Sequence, residues 1–354
     1  MSLPLTTPPK SICILRLSAI GDVTHALPTL RSIQQQWPET KITWIIGSLE
    51  YQLVKDIPGL EFIIFNKSSG IKGYVELYRH LKYHRFDVLL HMQISLRASL
   101  ASLCVKARIR LGFDKARTKN LQRLFVNHKI KSQQNRQHVL DSFLDFARTL
   151  GIEQPVLEWG IPIPDEDLDF ARQHTAGLGN YVAINPCTSN RAMNWRNWQV
   201  DAYAEIIDYL FEQHALACVL TGGPAAEEID YANQISRQCQ HPPLDLVGKT
   251  SLKQLTAIYQ QSKLVIAPDT GPMHIANAMG VPVIGLFATS NPYRTGPYSN
   301  LDNTVNVYPE ALKLEYGQTV DEAKWGKRVR NPEALHLIKV EMVKERIEKV
   351  FTKK

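Results

Sequence analysis

Cysteine is scarce in this chain, and the few cysteines form no pattern. Five occur among 354 residues, an odd number, and none belongs to a C-x-x-C pair. Scattered single cysteines indicate neither a disulfide framework nor a zinc site. We therefore expect the protein to occupy a reducing compartment.

Long apolar runs are also missing. The first ten residues, MSLPLTTPPK, contain two consecutive prolines and lead into no apolar stretch of signal-peptide length. No uninterrupted apolar segment is long enough to span a bilayer. We therefore expect a cytoplasmic protein whose contact with a membrane is limited to its surface.

Negative charge is in deficit. Lys and Arg number 41 against 34 Asp and Glu, which gives a formal net charge of +7. Such an excess favours anionic partners: phosphorylated small molecules, the anionic leaflet of a membrane, or nucleic acid. The sequence has no recognised nucleic-acid motif and no interleaving of aromatic with basic residues, so we expect no nucleic-acid partner.

Much of this positive charge lies in residues 106–136, which we call the basic segment. Arg117 and Arg123 are its candidate contacts for an anionic ligand. A solvated basic face is typical of the same pattern without any ligand. The sequence leaves both interpretations open.

Apolar runs alternate with segments of helical period along the whole chain. In the first half, strand-like runs occur at 11–17, 41–46, 61–65, 86–92 and 108–113, and a second series begins near Tyr181. This alternation predicts parallel sheets with helices on both faces, and ligands bind such sheets beyond the carboxyl ends of the strands. The predicted fold is therefore α/β, with two doubly wound, Rossmann-like domains facing a central cleft.

Composition divides the chain into three parts. Residues 156–180 are rich in proline and glycine, which is typical of a hinge. We place the first domain at 1–155 and the second at 156–330, hinge included. The last part, 331–354, has apolar residues on one helical face, which predicts an amphipathic helix packed on the protein's own surface.

The most informative motif is LVIAPDTGPMHIANAMGVPVIGLF. It predicts a strand that ends at Asp269, a tight turn through Thr270 and Gly271, and a helix with Pro272 at its first position and Gly280 just past its end. The unpaired N–H groups of such a helix start attract phosphate, and His274 adds a donor one turn later. An ordinary junction capped by Asp269 or Thr270 is the alternative. The motif is neither G-x-G-x-x-G nor a Walker sequence, which disfavours dinucleotide binding and P-loop chemistry.

A second strand, turn and helix start is predicted in LRLSAIGDVTHALPTL. Ser18 and Gly21 belong to the turn, and Asp22 stands where the helix begins. Asp at a helix start caps free N–H groups, but the same carboxylate can act as a general base on an acceptor hydroxyl. His25 lies on the same helical face, where it either orients Asp22 or packs.

Two weaker motifs follow strands of the second domain. The loop INPCTSNRAMNWRNW contains Thr188, Ser189, Arg191 and Arg196, whose hydroxyl and guanidinium groups suit phosphate oxygens. We expect the tryptophans of this loop to be buried in the core. In LTGGPAAEE, Glu227 is placed either to accept hydrogen bonds from ribose hydroxyls or to be solvated in the first turn of a helix.

Together these segments resemble glycosyltransferase family 9, the heptosyltransferases of the lipopolysaccharide inner core. The resemblance rests on S-x-x-G-D, T-S before W-x-x-W, GGP with an acidic residue following, and D-T-G-x-x-H, in family order over nearly the whole chain. It implies the GT-B fold, with an acceptor-binding first domain and a nucleotide-sugar-binding second domain. It also implies that the helix in 331–354 crosses back to the first domain.

The resemblance further implies an activity. The expected reaction is inverting transfer of heptose from ADP-heptose to a Kdo-bearing inner-core acceptor, with no cofactor and no obligatory metal. The expected partners are the nucleotide sugar, an anionic lipid-linked saccharide and a membrane surface. The expected location is the cytoplasmic face of the inner membrane of a Gram-negative bacterium.

The resemblance also implies roles for individual residues. Asp22 takes the place of the catalytic base. The acceptor would contact Ser18, Gly21, His25, Arg117 and Arg123. The donor diphosphate would contact Thr188, Ser189, Thr270, Gly271 and His274, the donor sugar Asp269, and the ribose Glu227. Met193 stands where similar enzymes carry Lys or Arg, so either Arg191 or Arg196 supplies that charge or the donor is bound differently.

Two other functions stay open at this point. A nucleotide-sugar epimerase on the same fold would turn over the donor alone, without an acceptor. A non-catalytic protein that binds polyanions would need only the basic segment, and Asp22 would then have no catalytic role.

Overall fold

The computed structural model describes residues 3–118, 121–188 and 196–352. The chain forms two compact units, Met1–Pro162 and Ile163–Lys354, each with one six-stranded sheet. The two predicted doubly wound domains are therefore confirmed. Their boundary falls later than residue 155, because the chain after it is tied to the first unit: the Val156 amide donates to the Ser32 hydroxyl at 2.9 Å.

The first unit alternates strands and helices from its start. Its strands are β1 (Ser11–Leu15), β2 (Lys41–Gly47), β3 (Leu60–Phe65), β4 (Phe86–His91), β5 (Ala107–Gly112) and β6 (His128–Lys129). Its α-helices are α1 (Ile20–Gln36), α2 (Ser48–Val54), α3 (Gly70–Leu81), α4 (Leu96–Ser102) and α5 (Val139–Leu150). The strand-like runs of the sequence match these strands to within two residues at each end.

The first sheet is parallel, with strand order β3-β2-β1-β4-β5-β6. The chain begins at the centre, winds out to β3, and then returns to add β4 on the other side of β1. Such a reversal leaves a crevice at the carboxyl ends of the two central strands, since their following connections leave on opposite faces. In this unit the crevice lies where β1 and β4 end.

Helix α1 shows how burial overrides a local signal. Pro28 by itself predicts a late helix start or a kink, because proline has no N–H to donate to the preceding turn. The helix nevertheless begins at Ile20 and continues through Pro28 to Gln36. The late start is wrong, since Val23 and Leu27 are fully buried and hold the first turns against the core.

The second unit repeats the pattern. Its strands are β7 (Tyr181–Ile184), β8 (Ala217–Leu220), β9 (Leu244–Asp245), β10 (Leu264–Pro268), β11 (Val283–Phe287) and β12 (Val305–Asn306). Its α-helices are α6 (Asp165–Thr175), α7 (Val200–His214), α8 (Ala226–Gln238), α9 (Leu252–Gln261), α10 (Gly271–Ala278), α11 (Pro292–Thr295), α12 (Tyr308–Tyr316) and α13 (Val340–Thr352). The order β12-β11-β10-β7-β8-β9 reverses between β7 and β10.

The last helix, α13, packs on the second unit. Val343 and Ile347 are fully buried in the core of that unit, and the Trp198 indole donates to the Ile338 carbonyl just before the helix at 3.0 Å. The amphipathic helix is confirmed, and its buried apolar residues lie in the second unit. Its crossing back to the first domain stays a prediction. No helix of the described ranges is long and apolar enough to cross a membrane.

The last residue of β4, His91, is a buried histidine. The side chain of Gln122 lies 3.1 Å from Nδ1 of His91 and donates to the His91 carbonyl at 2.8 Å. Burial, with the positive charges of Arg110 and Arg16 nearby, lowers the pKa of His91 to about 3. The ring is therefore neutral in the folded protein over the whole physiological range.

We predict that His91 makes the first unit less stable in mild acid. An unfolded histidine takes up a proton below about pH 6.5, whereas folded His91 does not, so the unfolded state binds more protons and stability falls as pH falls. The free energy of unfolding should fall by about 2 kcal/mol between neutral pH and pH 5. Denaturant unfolding of the wild type and of His91→Asn at several pH values measures it.

His80→Asn is the matched control, because His80 is an exposed histidine of the same unit. The wild type and His80→Asn should lose stability in parallel, and His91→Asn should lose less. Equal pH slopes in all three proteins would contradict the prediction.

Candidate active site

Contacts between the ends of β1 and β4 build the crevice of the first unit. The Leu17 amide donates to Oε1 of Gln93 at 2.6 Å, and Nε2 of Gln93 donates to the Ser18 hydroxyl at 3.3 Å. The guanidinium of Arg16 donates to the carbonyl of Met92. These bonds hold the turn that leads into α1 against the neighbouring strand.

Asp22 lies in the first turn of α1, at this crevice. Its Oδ2 forms an ion pair with Nη2 of Arg16 and accepts a hydrogen bond from the Ala19 amide at 3.3 Å. The capping role is therefore present in the structure. The side chain is also 36% exposed, and its described contacts use Oδ2, so Oδ1 is the oxygen that a ligand can reach.

Arg16 is a residue that the sequence analysis missed. Its side chain is 9% exposed, and its guanidinium lies 5.2 Å from the centre of the Phe143 ring. Burial lowers the pKa of Arg16, and the neighbouring Asp22 carboxylate opposes that shift. The available signal was a cation inside the apolar run SICILRL, because a buried charge requires a partner.

Two other acceptor candidates have internal contacts. Gly21 is buried, and its carbonyl accepts from the Thr24 hydroxyl at 2.7 Å. His25 is also buried, with its ring edge-on to His138 at 5.3 Å between centroids. His25 thus packs against the start of α5.

The basic segment contains arginines of two kinds. Arg117 pairs with Asp114 at 2.6 Å and donates to the Ser142 hydroxyl at 3.0 Å, and Arg110 donates to main-chain carbonyls of its own unit. Their guanidinium groups hold the unit together. Arg123, by contrast, is exposed.

The crevice of the second unit is centred on Asp269, directly after β10. Its Oδ2 accepts from the Ser290 hydroxyl at 2.7 Å and lies 3.3 Å from Nη1 of Arg196, which also donates to the Asp269 carbonyl. Thr188, after β7, is buried and donates its N–H to Asn197 at 3.1 Å. Residues that follow three neighbouring strands therefore meet at one edge of the sheet.

Asp269 is held as an anion. Burial by itself would raise the pKa of its carboxyl, but the charges of Arg196, Arg328 and His274, with the Ser290 hydroxyl, hold that pKa below its ordinary value. Ser290 and Arg328 were missed by the sequence analysis, although Ser290 follows β11 as Asp269 follows β10. Among the described residues, no group of three or more His, Cys, Asp or Glu side chains is placed to hold a metal ion.

Helix α10 begins at this point, directly after Asp269 and Thr270. Thr270 is its N-cap, with the hydroxyl accepting from the Met273 amide at 3.5 Å, and Gly271 is its first residue. Pro272 therefore stands second, one position later than predicted. His274 is 6% exposed, one turn into the helix, and Gly280, at φ +74°, follows the C-cap as the sequence predicted.

The loop between β7 and α7 is described only in part. Ser189, Arg191 and Met193 lie outside the described residues. Arg196 is described, and its contacts with Asp269 place it in the second crevice. Trp198 is 1% exposed and lies edge-on to a buried tyrosine, so the prediction that it belongs to the core is confirmed.

The glycine turn after β8 is held by an acidic residue. Oε2 of Glu228 accepts from the Gly223 amide at 2.7 Å. Glu227, the residue that the sequence analysis selected, is exposed in the first turn of α8. Its role toward a ribose stays a prediction.

Known proteins are similar to this chain over nearly its full length. Lipopolysaccharide core heptosyltransferase OpsX of Haemophilus influenzae is 40% identical over 338 residues, 96% of each chain. A solved glycosyltransferase family 9 structure from Veillonella parvula matches with a TM-score of 0.81 at 22% identity, over 98% of each chain. E. coli heptosyltransferase WaaC with ADP matches with a TM-score of 0.71 at 20% identity, over 96% of this chain and 99% of that one.

The family model of glycosyltransferase family 9 (heptosyltransferase) matches residues 74–324. That match covers well over half of the chain and includes the glycine turn after β8 and the crevice around Asp269. The GT-B fold implied by the four sequence motifs is confirmed by the solved structures, since both match nearly the whole chain, including its two parallel six-stranded sheets. The chain therefore belongs to glycosyltransferase family 9, the heptosyltransferases, and is a transferase.

Proposed function

We propose that this protein transfers heptose from ADP-heptose to a Kdo-bearing acceptor of the lipopolysaccharide inner core, with inversion at the anomeric carbon. The observation that carries the proposal is the accessible Asp22 carboxylate in the crevice of the first unit, with the start of α10 in that of the second. The names of the OpsX relative and of the WaaC complex with ADP support the same donor and acceptor classes.

Asp22 acts as the general base in this reaction. As the acceptor oxygen bonds to the anomeric carbon, Oδ1 of Asp22 takes the hydroxyl proton, and the bond from that carbon to the diphosphate breaks to release ADP. Arg16 and the Ala19 amide hold the carboxylate through Oδ2, so its orientation is set before the acceptor binds.

The second unit binds the donor. The Gly271 N–H and the positive end of α10 face the diphosphate charge, and Thr270 and His274 add donors beside them. The Thr270 hydroxyl can cap the helix and bind the diphosphate at the same time. It accepts from the Met273 amide through a lone pair and still has its own proton to donate to a phosphate oxygen. The Asp269 carboxylate accepts hydrogen bonds from hydroxyls of the donor sugar, and Glu227 from the ribose.

In this proposal the reaction needs no cofactor and no obligatory metal. The helix start, together with Arg196 and the described polar groups around Asp269, offsets the charge of the departing diphosphate. The acceptor is anionic and lipid-linked, and the exposed cations of the basic segment bind it. We place the protein on the cytoplasmic face of the inner membrane of a Gram-negative bacterium.

We predict that Asp22→Asn and Asp22→Ala abolish transfer but leave ADP affinity unchanged. Loss of a general base lowers the rate by ~10²–10⁴. Asp22→Asn is the informative variant, since its amide oxygen can still accept from Ala19 and preserve the helix cap. Transfer from ADP-heptose to a deacylated Kdo-lipid, with thermal unfolding as the fold control, measures the effect. Near-normal turnover in Asp22→Asn would show that Asp22 is not the general base and serves only as a helix cap.

We predict that Thr270→Ala and His274→Ala weaken ADP binding by about 1–3 kcal/mol each, because each removes a hydrogen bond to a charged diphosphate. Thr270→Ser is the matched control and should bind ADP nearly as well as the wild type, since it keeps both the cap and the donor. Titration calorimetry with ADP is the measurement. Wild-type ADP affinity in both alanine variants would show that the diphosphate does not bind at the start of α10.

We predict that acceptor binding by the basic segment is electrostatic. Exposed charges are screened over about 8 Å at physiological ionic strength, so the apparent KM for the acceptor should rise with salt while ADP affinity changes less. Lys115→Glu with Arg123→Glu should reproduce the high-salt KM at low salt. These two are exposed, whereas reversal of Arg117 would break its pair with Asp114.

Lys313→Glu with Lys324→Glu is the control, because it reverses the same charge at exposed positions of the second unit. Its KM for the acceptor should stay near that of the wild type. If the acceptor KM does not change from low to high salt, the basic segment is a solvated surface that does not bind the acceptor.

A further inference from the structure

Helices α3 and α4 of the first unit expose apolar side chains. Seven of the seventeen exposed large hydrophobic residues of the described ranges lie within residues 71–103, so the exposure is concentrated. We use the name α3–α4 face for Ile71, Val75, Tyr78, Leu96, Leu100 and Leu103. Their exposed fractions run from 41% at Leu100 to 82% at Ile71.

The spacing shows that these residues form one stripe on each helix. Ile71, Val75 and Tyr78 stand at positions i, i+4 and i+7 of α3, and the three leucines repeat the same spacing from Leu96. The inward side of α3 is apolar as well, through the buried Leu77 and its neighbours. A surface helix that only covers its own sheet has a polar outer face, so the outward stripe calls for a second apolar environment.

The two helices are neighbours in the unit. The Tyr74 hydroxyl of α3 donates to the Arg97 carbonyl of α4 at 3.5 Å, and the Cys104 thiol donates to the Tyr74 carbonyl at 3.7 Å. Ala98 and Ala101 of α4 pack in the same core cluster as Leu77 of α3. The stripes therefore belong to adjoining elements.

Exposed charge in the stretch that bears the stripes is mostly positive. The exposed cations of residues 70–106 are Lys72, Arg79, Lys82, Arg85, Arg97 and Lys106. The exposed carboxylate of the same stretch is Glu76. Six cations against one carboxylate complement an anionic surface, and they would repel a second copy of the same face.

We propose that the α3–α4 face docks this protein on an anionic lipid bilayer. The apolar stripes enter the boundary between headgroups and acyl chains, and the cations pair with lipid phosphates around them, as in helices that lie in the plane of a membrane. This inference rests on the membrane location in the proposed function and names the surface that makes the contact. That surface involves neither Asp22 nor Asp269 and requires no sugar.

The test is flotation of the full chain with vesicles that contain no saccharide. Vesicles of phosphatidylglycerol and phosphatidylethanolamine should bind the wild type, and vesicles of phosphatidylcholine alone should bind it far less. Ile71→Ser with Leu100→Ser should lower binding to the anionic vesicles by about tenfold or more, since two apolar side chains lose their burial. Phe211→Ser with Leu314→Ser, exposed positions of the second unit, should bind as the wild type does.

The remaining outcomes separate this surface from the catalytic proposal. All these variants should transfer heptose to a soluble deacylated acceptor at the wild-type rate, so failed transfer with intact flotation counts against the proposed function alone. Unchanged flotation of Ile71→Ser with Leu100→Ser, or equal binding to the two kinds of vesicle, overturns the docking surface. So does a wild type that is dimeric in solution and becomes monomeric in that variant, because the face would then join two copies.

Discussion

Both candidate sites depend on one constraint of parallel sheets. Each strand must be connected to the next across a face of the sheet, and a chain that starts at the centre has to reverse its winding once to fill both sides. The order of strands places that reversal between β1 and β4 in the first unit and between β7 and β10 in the second. The carboxyl ends of β1, β7 and β10 bear most of the residues to which we assign chemical roles.

Each reversal point contains a carboxylate paired with an arginine, but the two pairs differ in exposure. Asp269 is 9% exposed, and its arginine and hydroxyl partners compensate for burial so that its pKa stays low. Asp22 is 36% exposed, and its described contacts leave one oxygen for a ligand. A buried carboxylate that arginine holds as an anion can orient a bound sugar, whereas an accessible carboxylate can take up a proton. The difference in exposure therefore matches the difference in proposed role.

The surface of the first unit separates structural from functional cations. Arg110 and Arg117 are neutralised or bonded within the unit, so counting basic residues overstates the charge offered to a partner. The exposed cations of residues 70–106 lie in the same stretch of chain as the exposed apolar side chains of the α3–α4 face. A surface that combines apolar side chains with cations suits a membrane, whereas a soluble polyanion would need the charge alone.

The sequence by itself determined the alternation of strands and helices and several of their ends. Apolar runs predicted β1 and β10, and turn chemistry predicted a cap at Asp269 or Thr270 and the end of α10 near Gly280, because periodicity and capping depend on neighbours in the chain. Tertiary structure decided which charges meet. Arg16 contacts Met92 across 76 positions and Arg196 contacts Asp269 across 73, distances that no local pattern encodes. It likewise decided that α13 packs on the second unit, because an apolar helical face predicts burial and leaves its partner open.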